Sequence, residues 1–165
     1  MSADDVARAT AALFERLKED KLTLVTAESC TGGLIAAAIT ALPGSSQVLE
    51  RGYVTYSNAA KETDLGVSTS ILREKGAVSA DTARAMAQGA LDRSRADLAV
   101  SVTGIAGPSG GSDEKPVGLV YFAAARREGR ILQREMRFGD LGRGEIRRRS
   151  VLNAMTLLTK LLDMD

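Results

Sequence analysis

A serine and a cysteine stand side by side in the segment ESCTGG, directly after a short apolar run. A helix that begins at this point would present backbone N–H groups without partners, and these can stabilise an oxyanion. Ser29 and Cys30 are therefore both candidate nucleophiles, with oxyanion donors from Thr31, Gly32 and Gly33. The motif alone does not choose between hydroxyl and thiol, and a serine that merely caps a helix is the plainer interpretation.

The base for such a nucleophile cannot be histidine, because the sequence contains none. Lys61, in the segment TYSNAAK, is the best candidate by position. To act near neutral pH it needs its pKa lowered by about 3 units, which burial and a nearby helix N-terminus both favour. Tyr56 in the same segment is a candidate proton relay or oxyanion donor. A solvated lysine and a half-buried strand tyrosine are the competing interpretations.

A third segment, TGIAGPSGGSDEKPVG, combines backbone donors with hydroxyls and one lysine, Lys115. Loops of this composition suit phosphate or ribose oxygens, although the spacing is not GxGxxG and a mobile surface loop fits equally well. Thr103 is a candidate polar group of the catalytic site. The glycines that we assign to substrate binding are Gly104, Gly107, Gly110 and Gly111.

Three consecutive arginines at residues 147–149 lie near the start of the last predicted helix. Cations are unfavourable at a helix N-terminus. At least one of these arginines is therefore expected to have an anionic partner, which is a ligand phosphate, Glu145 or Asp140.

The elements that must position these groups alternate along the chain. Apolar, β-rich runs predict buried strands at residues 22–27, 52–57 and 96–104, and a later hairpin turns at Glu128–Gly129. Helical spacing of apolar residues predicts helices over residues 4–18, 34–42, 58–65, 69–75, 80–93 and 145–162. Asn58 is the predicted cap of the third helix.

This order predicts a single α/β domain over residues 1–165, with three α/β/α layers and a mixed, mostly parallel sheet that ends in an antiparallel hairpin. Ligands of such sheets collect beyond the carboxyl ends of the strands. The segments ESCTGG, TYSNAAK and TGIAGPSGG each follow a predicted strand, so we expect them to meet at one pocket.

Composition excludes several classes of function. The chain of 165 residues has 44% hydrophobic and 26% charged residues, a net charge of +1 and one cysteine. We expect no direct binding of nucleic acid and no membrane span, because the charge is near neutral and no apolar run reaches about 20 residues. One cysteine and no histidine leave no expected metal site. The lone cysteine fits a cytoplasmic location. The oligomeric state stays open, a homo-oligomer included.

These segments, in this order, resemble the CinA C-terminal domain family, whose stand-alone form is known as PncC. The matching stretches are TAESCTGG, GSSQVLERGYVTYSNAAK, LGV, GAVS and SVTGIAGPSGGSDEKPVGLVYFA, and the resemblance covers residues 22–162. It implies a three-layer α/β/α fold with a mixed sheet. It also implies amidase activity on nicotinamide mononucleotide, which gives nicotinate mononucleotide and ammonia in pyridine-nucleotide recycling.

The resemblance also implies roles for single residues. Ser29 matches the family's nucleophile and Lys61 its partner lysine, while Tyr56 and Thr103 match supporting polar positions. No cofactor is implied. The nucleotide hydrolase activity of a further domain in longer CinA proteins is not expected here. The competing hypothesis is a non-catalytic nucleotide-binding or interaction domain linked to competence or to the DNA-damage response.

Overall fold

The computed structural model describes residues 2–164, which pack around one sheet of five strands. The strands are β1 (Leu24–Glu28), β2 (Leu49–Val54), β3 (Leu98–Gly104), β4 (Leu119–Arg126) and β5 (Ile131–Arg137). Their order across the sheet is β2-β1-β3-β4-β5. β1 pairs in parallel with β2 and β3, whereas β4 pairs antiparallel with β3 and β5. β4 alone therefore runs against the other strands, and the predicted mixed sheet with a late hairpin is confirmed.

Six α-helices lie before, between and after the strands in the described residues. They are α1 (Ala3–Asp20), α2 (Leu34–Thr40), α3 (Asn58–Leu65), α4 (Thr69–Lys75), α5 (Ala80–Asp92) and α6 (Arg143–Leu162). No helix within residues 2–164 is long and apolar enough to cross a membrane.

The helices cover both faces of the sheet and enclose two apolar cores. On one face Phe14 of α1, Ile39 of α2 and Leu158 of α6 pack together. On the other face Leu65 of α3 packs with Met86 of α5. β1 is buried along its whole length and β3 along all but its last residue, because both strands lie in the middle of this three-layer arrangement.

The largest difference from the sequence prediction is in the second strand, and one helix cap also differs; the other elements differ by at most two residues at their ends. The second strand spans Leu49–Val54 rather than residues 52–57. β2 is an edge strand, so the end of its one partner decides where it ends, and Val54 pairs with Glu28, the last residue of β1. Ser57, not Asn58, caps α3, because the Ser57 side chain accepts a hydrogen bond from the Ala60 amide at 3.0 Å.

Candidate active site

The carboxyl ends of β1, β2 and β3 meet at one edge of the sheet, and Ser29 lies at their centre. Its amide donates to the Val102 carbonyl of β3 at 3.0 Å, which extends the strand pairing by one residue. The chain then turns sharply through Gly32 and Gly33, both with positive φ, before α2 begins. Because Gly33 has a φ of 105°, a region that side chains rarely adopt, this turn favours glycine. Ser29 is thus held by strand pairing on one side and by a tight turn on the other.

Lys61 reaches the serine from α3. Side chains on a helix lean toward its N-terminus, so a lysine in the second turn points back toward the strand ends. Its Nζ lies 3.0 Å from Ser29 Oγ, 2.6 Å from the Thr55 carbonyl oxygen and 3.5 Å from the Tyr56 carbonyl oxygen. The side chain is 1% exposed, and no carboxylate within residues 2–164 forms an ion pair with it. The two residues therefore form a buried amine–hydroxyl pair.

Burial lowers the pKa of Lys61 from 10.5 to about 8. A neutral amine carries two N–H donors and one lone pair. If both donors face the Thr55 and Tyr56 carbonyls, the lone pair faces the Ser29 hydroxyl. The arrangement of these oxygens can therefore bind the neutral amine in the orientation that a general base requires.

Cys30, next to the serine, is buried as well, and the same loss of solvent shifts its pKa in the opposite direction. Burial raises the pKa of its thiol from 9.0 to about 12. The thiolate is the nucleophilic form, and it is scarce at neutral pH under this shift. Of the two adjacent candidates, the geometry and the acid–base chemistry favour the hydroxyl of Ser29.

A cavity of about 250 Å³ opens over the pair. Most of the predicted site residues lie on its wall, but Thr31, Gly32, Gly33 and Gly111 do not. The lining consists of Ser29, Cys30, Tyr56, Lys61, Ala77, Val78, Thr103, Gly104, Ile105, Ala106, Gly107, Ser109, Gly110 and Arg143. The three segments that follow β1, β2 and β3 thus share one pocket, as their topology predicts. No three His, Cys, Asp or Glu side chains in the described part of the chain cluster as metal ligands.

The two supporting polar residues have different environments. Thr103 Oγ1 donates to the Ala77 carbonyl at 2.8 Å, so its proton is engaged in holding the α4–α5 turn. Tyr56 is 57% exposed at the rim of the cavity, and its hydroxyl accepts a hydrogen bond from Arg143 Nη2 at 2.8 Å. The Tyr56 proton stays available to a ligand, whereas the Thr103 proton does not.

Comparisons with known proteins identify the family to which this chain belongs. Residues 6–162 match the family model of the CinA C-terminal domain. The chain belongs to the CinA C-terminal domain family. A nicotinamide-nucleotide amidohydrolase PncC from Enterobacter agglomerans is 59% identical over 115 residues, which are 69% of this chain and 70% of that protein. A CinA-like protein from Geobacter sulfurreducens is 62% identical over 121 residues, 73% of this chain but 29% of that protein.

Solved structures of family members have the same fold. The competence/damage inducible protein CihA from Agrobacterium tumefaciens superposes with a TM-score of 0.94 at 53% identity, over 96% of each chain. A CinA-superfamily protein from Escherichia coli superposes with a TM-score of 0.90 at 36% identity, over 98% of this chain and 93% of that one. The chain spans about a quarter to a third of the length of the longer curated relatives that it matches, with shares from 26% to 36%.

Glu28 is a buried residue of this site that the sequence interpretation missed. Its carboxylate accepts hydrogen bonds from Thr31 Oγ1 at 2.6 Å and from the Ile35 and Ala36 amides at 2.9 and 3.1 Å. The N-terminal donors of α2, expected near an oxyanion, are thus partly occupied by a carboxylate of the chain itself. Thr31 donates a hydrogen bond to Glu28 and does not line the cavity. An acid a few residues before a predicted helix is the sequence signal, since anions are stabilised at a helix N-terminus.

Arginines of α6 complete the surroundings of the nucleophile segment. Arg143, also missed, donates to the Gly107 carbonyl at 2.8 Å in addition to Tyr56. Arg147 donates to the Cys30 and Thr31 carbonyls, each at 3.2 Å. The expectation of an anionic partner for the arginine run is confirmed by Glu145, which pairs with Arg148 and Arg149. The same argument about cations at a helix N-terminus, applied one turn earlier, would have found Arg143.

Lys115 does not reach the cavity. Its ammonium donates to the Lys75 carbonyl at the end of α4, at a distance of 2.6 Å. A cation at a helix C-terminus is electrostatically favourable. The glycine-rich loop is therefore tied to α4 by this lysine, and the cation on the cavity wall beside this loop is Arg143 rather than Lys115.

Proposed function

We propose that this protein hydrolyses the carboxamide of nicotinamide mononucleotide to nicotinate mononucleotide and ammonia, with Ser29 as nucleophile and Lys61 as general base. The observation that carries the proposal is the contact of 3.0 Å between Lys61 Nζ and Ser29 Oγ, buried under a cavity and without a competing carboxylate in residues 2–164. A buried amine with a pKa of about 8 can take a proton near neutral pH.

The chemistry balances with these two side chains and water. Neutral Lys61 takes the Ser29 proton as Oγ bonds to the carboxamide carbon. The resulting ammonium gives that proton to the departing nitrogen as the C–N bond breaks, and ammonia leaves. Water then attacks the ester while Lys61 takes one of its two protons. Lys61 passes that proton to Ser29 Oγ as the ester C–O bond breaks, and the carboxylic acid product releases its remaining proton to solvent. The residues required are an amine base and a hydroxyl, so the proposed scheme includes no cofactor.

The developing oxyanion needs donors that the chain has not already engaged. The Ser29 amide donates to Val102 and the Gly32 amide to Ser29, so neither is available. Of the remaining amides in this segment, that of Cys30 belongs to a residue of the cavity wall. We assign the oxyanion to the Cys30 amide and the Tyr56 hydroxyl, in place of the wider set of donors at Thr31, Gly32 and Gly33.

The size of the cavity supports a position for the substrate. A volume of about 250 Å³ is below the range of pockets that enclose drug-sized ligands, about 300–1,000 Å³. We therefore place the pyridine carboxamide inside and the ribose phosphate at the rim. Arg143 lies there, and the donors that it does not use on Tyr56 and Gly107 can bind a phosphate. Gly104, Gly107 and Gly110, with Ser109, form the wall beside it.

The proposal gains support from the Enterobacter agglomerans relative, whose name states the same activity. A nucleotide would then be the partner of this chain, and a cytoplasmic location belongs to the same proposal. The competing function, a non-catalytic binding domain, is favoured by relatives whose names refer to competence or damage. A buried lysine without a counter-ion is a feature that a pure binding role does not require.

The deciding experiment measures ammonia release from nicotinamide mononucleotide by the purified protein and by Ser29→Ala. We expect turnover by the wild type and a loss of at least about a thousandfold in kcat for the variant. Substrate binding, measured by calorimetry, should persist in the variant. Turnover that survives Ser29→Ala would remove the serine from the mechanism, and binding without turnover by the wild type would favour the non-catalytic function.

A further inference from the structure

A second cavity, larger than the one over Ser29, lies on the α1–α2–α6 side of the molecule. It has a volume of about 420 Å³ and is walled by aliphatic side chains that include Val6, Leu34, Ala38 and Val151. A neighbouring cavity of about 220 Å³ shares Ala3, Val6 and Ala38 with it and continues to Leu42. Together the two cavities form one elongated groove along α1 and α2.

The two ends of this groove differ in charge. Arg147 and Arg148 of α6 line the larger cavity and are absent from the lining of the smaller one. The other end is lined by Ala7, Thr10, Ala41 and Leu42, none of them charged. The groove therefore has a cationic head and an aliphatic tail.

The two arginines at the head are not equivalent. Arg148 is paired with the carboxylate of Glu145. Arg147 forms no ion pair with a carboxylate in the described residues, and its two hydrogen bonds end on carbonyl oxygens. A guanidinium has five N–H donors, so Arg147 keeps donors and its full charge for an anion.

We propose that the groove binds a small alkyl carboxylate, with the carboxylate on Arg147 and the chain along α1 and α2. Among the side chains of the wall only Thr10 has an acceptor, and its hydroxyl donates to the Val6 carbonyl at 2.7 Å. The side chains of the groove thus offer few hydrogen-bond acceptors to a base or a ribose, whereas aliphatic walls suit an alkyl chain. Charge at one end and elongation at the other favour this ligand over a compact anion.

A carboxylate bound in the groove would be coupled to the nucleophile segment through Arg147. Arg147 lines the groove and also donates to the carbonyls of Cys30 and Thr31, which are one and two residues beyond Ser29. A ligand on Arg147 therefore changes the electrostatic and steric environment of the turn at Gly32 and Gly33. The binding site is separate from the cavity over Lys61 and does not depend on the amidase proposal.

The test is a calorimetric titration of the intact protein with octanoate, with 1-octanol and butyrate as controls. We expect saturable binding of one octanoate per chain, and binding weaker by about tenfold or more for the uncharged alcohol and for the short acid. Arg147→Gln should weaken octanoate binding by about tenfold, whereas Arg148→Gln, its neighbour in the same cavity, should change it by less than about threefold.

Two further measurements separate a specific site from a surface effect. Ala37→Phe places a ring at an exposed position of the groove and should abolish octanoate binding while thermal unfolding stays within a few degrees of wild type. In ¹⁵N NMR spectra, octanoate should shift the amide signals of Gly32 and Gly33. Equal binding by Arg147→Gln and wild type, or no saturable heat with octanoate, would overturn the proposal. A dimer in sedimentation that Ala37→Phe dissociates, without octanoate binding, would assign the groove to a second copy of the chain.

Discussion

The nucleophile segment separates two buried charged side chains whose surroundings are opposite. Glu28, before Ser29, is fully buried and accepts hydrogen bonds from one hydroxyl and two helix amides. Lys61, beyond Ser29, is buried to the same degree, but its contacts are a hydroxyl and carbonyl oxygens. Both side chains are therefore removed from water, and they differ in their partners: Glu28 faces three hydrogen-bond donors, whereas Lys61 faces neutral oxygens and no carboxylate within residues 2–164.

These different partners suggest a structural role for Glu28 and a chemical role for Lys61. A carboxylate at a helix N-terminus is stabilised by the dipole and by its donors, so Glu28 holds the turn between β1 and α2. A lysine that loses solvent without gaining a carboxylate is destabilised in its charged form, so Lys61 is prepared to release a proton. The comparison predicts that changes at Glu28 alter stability first and that changes at Lys61 alter turnover first.

Replacing the lysine is the strongest test of this contrast. Lys61→Met keeps the length and removes the charge, so we expect kcat for ammonia release to fall by about a thousandfold. The unfolding temperature at pH 7 should not fall, because an uncompensated buried charge is lost along with its bond to the Thr55 carbonyl. Lys75→Met, an exposed lysine on α4, is the matched control and should leave both quantities unchanged. Turnover by Lys61→Met near the wild-type level would remove the lysine from the mechanism.

The pH dependence tests the same lysine through its pKa. Between about pH 8 and 10.5 the unfolded chain keeps the Lys61 proton while the folded chain has released it, so the stability of the fold rises with pH over that window. The depressed pKa corresponds to about 3 kcal/mol, gained as pH rises from 8 to 10.5. The difference in unfolding free energy between wild type and Lys61→Met isolates this contribution. Turnover should rise with pH to a plateau above about pH 8. If neither the turnover rate nor the difference in unfolding free energy between wild type and Lys61→Met changes with pH, the low pKa of Lys61 is contradicted.

Much of this fold and part of this site could be predicted from the sequence, for reasons that particular residues make clear. β1 and β3 are continuous apolar runs that end in polar segments, so their burial and their shared edge are local information. Lys61 and Ser29 were found because each follows a strand. The partners of Glu28, Arg143 and Arg147 were not found, because each contact depends on how α2 or α6 packs against the sheet. The first and last residues of β2 were predicted wrongly, because they depend on pairing with β1, which lies elsewhere in the sequence.

Glu28→Gln should affect stability more than chemistry. The glutamine oxygen can replace one carboxylate oxygen. The glutamine NH₂ group then takes the place of the second oxygen, which accepted a hydrogen bond from the Ala36 amide, so two donors face each other. A buried donor left unpaired costs about 1–3 kcal/mol, which we expect as a lower free energy of unfolding in urea. Turnover should fall by less than about tenfold, since Ser29 and Lys61 keep their contact. Glu19→Gln, an exposed glutamate of α1, provides the control. A thousandfold loss of turnover at unchanged stability would assign Glu28 to the chemistry instead.

The smallest expected effect is at Cys30, the neighbour that the motif could not distinguish from the nucleophile. The raised pKa of about 12 keeps the thiol protonated, and the side chain packs in the apolar core beside α2. Cys30→Ala should therefore cost about 1 kcal/mol in unfolding free energy through lost packing and change kcat by less than about threefold. The proposed oxyanion donor is the Cys30 amide, which the substitution retains. If Cys30→Ala loses as much turnover as Ser29→Ala, both side chains take part, and the division between a reactive Lys61 side and a structural Glu28 side no longer holds.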